Sequence, residues 1–108
     1  MTLHITNDSN ETMTLTNASN PYGHWQNQAV DIPAHTTKNV SDYSNNIEGS
    51  EIDLTYAMPD GTQITIQGLV PLAGSNSVTA TSSTTHFTTT APYTGGYHPT
   101  YNVDIADA

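Results

Sequence analysis

The sequence has 108 residues with one Lys, no Arg, ten acidic residues and no Cys, giving a formal net charge of −9. A chain of this length predicts one domain over residues 1–108, and the missing Cys excludes disulfides and thiolate chemistry. The charge argues against nucleic acid and anionic lipid as partners, because a polyanion would be repelled.

The first two apolar stretches predict a β-hairpin. Thr2–Asn7 places Leu3 and Ile5 on one face, and Thr12–Thr16 alternates in the same way. A period of two places alternate side chains on opposite faces of a strand. The five polar residues Asn7–Glu11 have a common hairpin-loop length. We therefore expect these two strands to pair with each other.

The next third of the chain is weakly patterned. Asn17–Asn20, followed by Pro21, is predicted to break the strand that ends at Thr16. A short aromatic segment follows at Tyr22–Trp25. Weak strands are predicted for Ala29–Ile32 and Thr36–Tyr43, with a loop over residues 44–50.

The strongest element is a hairpin over Glu51–Val70. Ile52, Leu54 and Tyr56 alternate with polar residues before a turn, and isoleucines alternate after it. The turn Met58–Gly61 contains Pro and Asp, which favour turn backbones, and Gly, which tolerates positive φ. This pattern predicts two paired strands with one buried face and one solvated face.

The remainder also indicates extended chain. Ser77–Thr90 predicts one bulged strand or two strands, Gly95–Gly96 predicts a turn, and Thr100–Ala106 predicts a last strand with Tyr101 buried. No stretch shows helical periodicity over a useful length. The predicted fold is all-β, an antiparallel β-sandwich with eight or nine strands.

The sequence predicts no catalytic residue, cofactor or metal site. A G-x-S-x-G nucleophile motif is missing, and Glu51 with Asp53 is interpreted as a solvated face rather than a carboxylate pair. The five His residues lack the spacing of zinc ligands. Asp42–Asn46 starts like a calcium loop, but Ile47 stands where Gly is needed.

The aromatic residues give the candidate binding site. Tyr and Trp combine an apolar ring with a polar tip, which suits membrane interfaces and binding patches. The predicted membrane- or partner-binding residues are Tyr22, Trp25, Tyr93 and Tyr97. For Trp25, burial and exposure are both left open.

A set of short motifs resembles a known family. In chain order these are Ile5–Asn7, Thr14–Leu15, Gly23–Trp25, Glu48–Gly49 with Ile52 and Tyr56, Pro71–Asn76, and His98–Tyr101. This order resembles the aegerolysin-like family, and within it the small component of bacterial binary insecticidal crystal toxins.

The resemblance implies a non-enzymatic β-sandwich that binds neutral lipid or a cell-surface receptor and acts with a larger pore-forming protein partner. It also implies accumulation as a cytoplasmic inclusion or release to act on target cells; no signal peptide or transmembrane segment is evident. The single Trp and the acidity depart from lipid-binding members. Two alternatives remain: a carbohydrate-binding or adhesive module, and a subunit that self-assembles into homo-oligomers through an edge strand over Thr79–Thr90.

Overall fold

The computed structural model describes residues 1–44, 49–96 and 98–108. These residues form nine strands and two sheets. The strands are β1 Thr2–Asn7, β2 Thr14–Tyr22, β3 His24–Asn27, β4 Thr36–Tyr43, β5 Ser50–Ala57, β6 Gln63–Val70, β7 Ser77–Ser82, β8 Phe87–Thr90 and β9 Thr100–Asp107.

The two sheets pack face to face as a β-sandwich. One sheet has the strand order β3-β4-β1-β9-β8, and the other has the order β2-β5-β6-β7. Neighbouring strands are antiparallel except β1 and β9, which are parallel. The predicted all-β sandwich with eight or nine strands is confirmed, with one parallel pair added.

The central hairpin is confirmed residue by residue. Strands β5 and β6 pair from Ser50–Val70 to Ala57–Gln63 without a register shift. In the turn, the Gly61 amide donates to the Met58 carbonyl at 2.9 Å, and the Met58 amide donates to the Thr62 carbonyl at 2.8 Å. Gly61 has φ of +88°, which explains the requirement for Gly at this position.

The core consists of the inward residues of both sheets. Alternate residues of β1, β5, β6 and β9 are buried because a strand turns every second side chain to the same face. The fully buried large side chains are Leu3, Ile5, Met13, Ile32, Val40, Ile52, Leu54, Tyr56, Ile64, Ile66, Tyr101 and Ile105. The prediction that Tyr101 is buried is confirmed, and its hydroxyl donates to the Leu69 carbonyl at 3.3 Å.

The predicted N-terminal hairpin is wrong. Strand β1 lies between β4 and β9, whereas β2 pairs with β5 in the other sheet. The connection crosses from one sheet to the other, and the Asn7 side chain is buried within it. Its amide donates to the carbonyls of Glu11 at 2.7 Å and Ile32 at 2.9 Å, which holds the connection in place.

Two weaker strand predictions also need correction. Strand β2 continues through Pro21 to Tyr22, because β2 is an edge strand and its register shifts near Pro21. At such a position the backbone N–H that Pro lacks would have no strand partner, so its loss costs little stability. The segment Ala29–Ile32 is not a strand: only Ile32 makes an isolated bridge, with Met13.

The stretch Ser77–Thr90 resolves into two strands in different sheets. Strand β7 pairs with β6, and β8 pairs with β9. The Thr89 hydroxyl donates to the Ala80 carbonyl at 2.7 Å, so one sheet edge is held against the other. Hence no continuous edge strand spans Thr79–Thr90, in contrast to the self-assembly alternative.

Candidate membrane- or partner-binding surface

One end of the sandwich carries the large exposed rings. Here β2 and β4 end, β3 and β5 begin, and β6 passes into the loop before β7. The molecule is elongated, 41 × 21 × 20 Å, so this end is a distinct surface. We call it the aromatic end and define it by Tyr22, His24, Tyr43, Leu72 and Tyr93.

Strand register explains why Tyr22, His24 and Tyr43 face outward. Tyr43 follows buried Asp42 on β4, so the pleat turns its ring to the solvent side, where it is 51% exposed. His24 lies opposite Tyr43, and the two rings have centroids 5.4 Å apart at 37°. Tyr22 is the last residue of β2, is 52% exposed and lies opposite Glu51.

Loops contribute the remaining two side chains. Leu72, in the connection between β6 and β7, is 69% exposed, and Tyr93, in the connection before β9, is 67% exposed. The Asn76 side-chain amide donates to the Gly96 carbonyl at 2.8 Å and ties these two connections together. The aromatic end therefore extends across both sheets.

The four predicted binding residues have different positions. Tyr22 and Tyr93 are exposed at the aromatic end. Trp25 lies opposite buried Asp42, so its ring faces inward. The ring packs against the core and is half-buried. Tyr97 lies outside the described residues. The structure thus brings Tyr22 and Tyr93 to one end and turns Trp25 away from the solvent-facing side of β3.

A buried group of polar atoms lies beneath Tyr22 and Tyr43. We call it the inter-sheet polar cluster and define it by Asn20, Asp42 and the α-amino group of Met1. The Asn20 amide donates to Asp42 Oδ2 at 2.8 Å and to the Glu51 carbonyl at 2.6 Å. The α-amino group donates to the Asp42 carbonyl at 3.1 Å and lies 3.6 Å from Asp42 Oδ1.

The charge of Asp42 is held in a dry environment. Asp42 is 2% exposed, and this burial raises the pKa of its carboxyl. The hydrogen bond from Asn20 and the Met1 ammonium partly offset the increase in pKa. A buried carboxylate without these partners would cost several kcal/mol, roughly 3–5 when one partner is removed. The partners therefore keep Asp42 compatible with the core.

Gly23 allows the chain to pass between the sheets at this point. Its φ is +103°, and a Cβ there would lie 2.8 Å from the Tyr43 carbonyl and 3.0 Å from Asp42 Oδ2. Both the backbone angle and the contact require Gly. The close approach places Tyr22 and His24 on either side of the polar cluster.

The opposite end is acidic. Four exposed carboxylates lie in its loops and strand ends, namely Asp8, Glu11, Asp60 and Asp107. A cleft of about 500 Å³ there is lined by three of them with Pro59, His86 and Phe87. Asp60 Oδ2 lies 2.7 Å from His86 Nδ1, and hydrogen bonds from Thr62 and then from His86 lower the pKa of Asp60 to about 2. The molecule is therefore asymmetric along its length, with the large exposed rings at one end and these four exposed carboxylates at the other, although Glu51 lies opposite Tyr22 at the aromatic end.

The candidate calcium loop has a different role where it is described. Asp42 belongs to the inter-sheet polar cluster, where it contacts Asn20 and the Met1 ammonium. Asn45, Asn46 and Ile47 lie outside the described residues. Over residues 1–44, 49–96 and 98–108, no three His, Asp or Glu side chains form a group that could hold a metal ion. In the same part of the chain, no helix is long and apolar enough to cross a bilayer.

The sequence reasoning missed Tyr43 and Leu72. The signal for Tyr43 was present: continuing the alternation from buried Val40 through Asp42 turns Tyr43 outward at the end of a predicted strand. Leu72 had no such signal, because loop side chains follow no period. Only the packing of the loop after β6 decides that its side chain is exposed.

No protein-family model matches the chain, and a sequence comparison with curated proteins gives no match. Among solved structures, the chain is similar to the RahU protein, an aegerolysin-like protein whose crystal structure was determined in complex with a TRIS molecule. The TM-score is 0.78 at 12% identity, over 99% of this chain and 93% of RahU. The protein therefore has an aegerolysin-like fold.

Proposed function

We propose that the protein is a non-enzymatic toxin component that docks through its aromatic end on a neutral lipid membrane or a cell-surface receptor. In this proposal it acts together with a larger pore-forming protein partner. The sequence motifs that resemble the aegerolysin-like family, and in particular the small component of binary insecticidal toxins, motivate the partner.

The observation that carries the proposal is the clustering of exposed rings at one end. Tyr22, Tyr43 and Tyr93 are each more than half exposed there, beside Leu72. Exposed rings and aliphatic groups gain free energy when they leave water, and a Tyr hydroxyl keeps a polar partner at the lipid interface. Such a group suits an interfacial surface better than a soluble substrate pocket.

The charge distribution supports a neutral target. The single Lys, Lys38, lies on β4 opposite Ile5, away from the aromatic end. A protein with net charge −9 and no cation in the docking surface gains nothing from anionic headgroups. Because the acidic end lies at the opposite pole, docking through the rings keeps its four carboxylates away from the lipid, whereas Glu51, opposite Tyr22, stays beside the docking surface.

The test compares vesicle binding by the protein and two variants. Co-sedimentation is measured with vesicles of zwitterionic lipid and with vesicles containing phosphatidylserine. We expect the protein to bind zwitterionic vesicles, and the double variant Tyr22→Ala/Tyr43→Ala to bind about tenfold more weakly. Val30→Ala is the matched control, because Val30 is 50% exposed but lies in the connection between β3 and β4.

Two results would overturn the proposal. One is unchanged vesicle binding in the double variant with the fold intact. The other is saturable binding on a glycan array without binding to vesicles of any composition, which would support the carbohydrate-binding alternative. The partner is tested separately by dye leakage from vesicles with and without a candidate large protein, and leakage that is the same in both would remove the partner.

A further inference from the structure

The aromatic end is assembled from two sheets. Tyr22 comes from β2 in the four-stranded sheet, whereas His24 and Tyr43 come from β3 and β4 in the five-stranded sheet. Polar contacts between the sheets limit their sliding: at this end the Tyr101 hydroxyl on β9 donates to the Leu69 carbonyl on β6. The relative placement of these rings therefore depends on whatever fixes the two sheets at this end.

Asn20 makes the polar connection between the sheets beside Tyr22. Its side-chain amide donates to the Glu51 carbonyl in the four-stranded sheet and to Asp42 Oδ2 in the five-stranded sheet. The Tyr22 carbonyl lies 3.0 Å from the same nitrogen, so one of the two N–H groups is shared between two acceptors. One side chain thus joins the backbone of Tyr22 to the strand that carries Tyr43.

Asp42 completes the connection on the other side. Its backbone pairs with Met1, since the Asp42 amide donates to the Met1 carbonyl at 3.0 Å. Its carboxylate accepts a hydrogen bond from the Asn20 amide and lies beside the Met1 ammonium. The side chains of Asp42 and Met1 are both fully enclosed. Hydrogen bonds to a charged group in a dry site are stronger and shorter than neutral ones, so the geometry is well defined.

We propose that Asn20 and Asp42 are positioning residues that set the spacing between Tyr22 and the His24–Tyr43 ring pair. Neither side chain contacts the docking partner. Both act through the backbone of the crossover at Gly23. The consequence for binding rests on the proposed function, whereas the positioning itself is a property of the free protein.

The test has one arm in the free protein. In Asn20→Ala we expect the NMR signals of the His24 ring protons to shift, because the ring current of Tyr43 depends on the distance and tilt between the rings. The fluorescence of Trp25, the only Trp, reports the same site because Trp25 lies opposite Asp42. Asn27→Ala is the matched control: the Asn27 amide donates to the Asn39 carbonyl on the same sheet but does not touch the polar cluster.

The second arm is vesicle binding. We expect Asn20→Ala to bind zwitterionic vesicles about tenfold more weakly than the unchanged protein, and Asn27→Ala to bind within about twofold. If Asn20→Ala does not fold, Asn20→Ser replaces it, because the shorter hydroxyl side chain stays polar but cannot reach both Asp42 Oδ2 and the Glu51 carbonyl.

The two arms separate the two proposals. If the unchanged protein does not bind vesicles but Asn20→Ala moves the His24 and Trp25 signals, the proposed function fails and the positioning stands. If the signals in Asn20→Ala, or in Asn20→Ser where it is used, match those of Asn27→Ala, the positioning role is refuted. Moved signals with unchanged vesicle binding would refute the claim that ring spacing matters for docking.

Discussion

Asn7 is the residue whose replacement tests the architecture most directly. Its side chain is fully buried at the crossover from β1 to β2. The amide donates to the carbonyls of Glu11 and Ile32, and Oδ1 accepts from the Ser9 amide at 3.0 Å and the Ser9 hydroxyl at 2.7 Å. This one side chain therefore satisfies backbone groups of two connections that pair with each other through the isolated Met13–Ile32 bridge.

The expected cost of Asn7→Ala follows from these contacts. Each hydrogen bond contributes about 1 kcal/mol net, and a buried donor left unpaired costs about 1–3 kcal/mol. The Ile32 carbonyl keeps the Met13 amide as a partner, so its loss is small, but the Ser9 amide loses its acceptor. The sum is a destabilisation of about 2–4 kcal/mol, a large part of the total stability of a domain of this size.

The assay is urea unfolding at pH 7, followed by Trp25 fluorescence and circular dichroism. Asn102→Ala is the matched control, because Asn102 is exposed on β9 and opposite His4 in the same sheet. Surface replacements of this kind change the free energy of unfolding by less than about 0.5 kcal/mol. A cost for Asn7→Ala that does not exceed the cost for Asn102→Ala would refute the reasoning.

Asn7→Asp gives a second, sharper test of the same site. Aspartate keeps the oxygen that accepts from Ser9 but loses both N–H groups and places a charge against two carbonyls. We expect the variant to be at least as unstable as Asn7→Ala at pH 7. Because burial raises the pKa of such a carboxyl, the deficit relative to the unchanged protein should shrink towards pH 4. A deficit that stays constant with pH would contradict this account.

Three further outcomes are expected. A hydrogen bond with Asp8, and after it burial, raises the pKa of Asp104 to about 6, so this carboxyl contributes stability below pH 4 that is lost as the pH rises through 6. After allowance for solvent screening, the expected loss is about 1 kcal/mol. In Asp104→Asn the free energy of unfolding should differ less between pH 4.5 and pH 7.5 than in the unchanged protein. Leu54→Ala, at a site 1% exposed, should cost about 2–5 kcal/mol in urea unfolding, and a cost below 1 kcal/mol would contradict the assignment of the core. Gly49→Ala should lower the thermal midpoint more than Gly61→Ala, because an added Cβ at Gly49 would collide with the Val70 backbone, whereas at Gly61 the space is open and the cost is the strain of a side chain at positive φ, about 1–2 kcal/mol. Equal midpoints would show that the crowding at Gly49 costs no more than this strain.

The sequence by itself determined the elements whose signals are local. The β5–β6 hairpin is encoded by alternation and by a Pro-Asp-Gly turn, all within twenty residues, and the structure pairs the two strands without a register shift. Strand β9 and the burial of Tyr101 follow from the same period of two. Thr36–Tyr43 was also predicted with the observed bounds, although its only aliphatic residue is Val40.

Only the tertiary structure decided which strands are neighbours. Strand β1 resembles the first half of a hairpin, yet it pairs with β4 and, in parallel, with β9 from the far end of the chain. Alternation specifies which face of a strand is apolar but not which partner covers that face. Which strands pair depends on long-range contacts such as those of buried Asn7. In the sequence, Asn7 looks like an ordinary polar loop residue.

In the candidate surface, too, some residues could be identified from the sequence and others only from the tertiary structure. Tyr22 and Tyr93 could be identified because aromatic residues beside turns are often exposed, and both are. Trp25 could not be assigned, since its side chain faces inward only because β3 pairs with β4 opposite buried Asp42. The polar cluster that joins the two sheets was equally hidden, because Met1, Asn20 and Asp42 are separated in sequence and meet only when the sandwich closes.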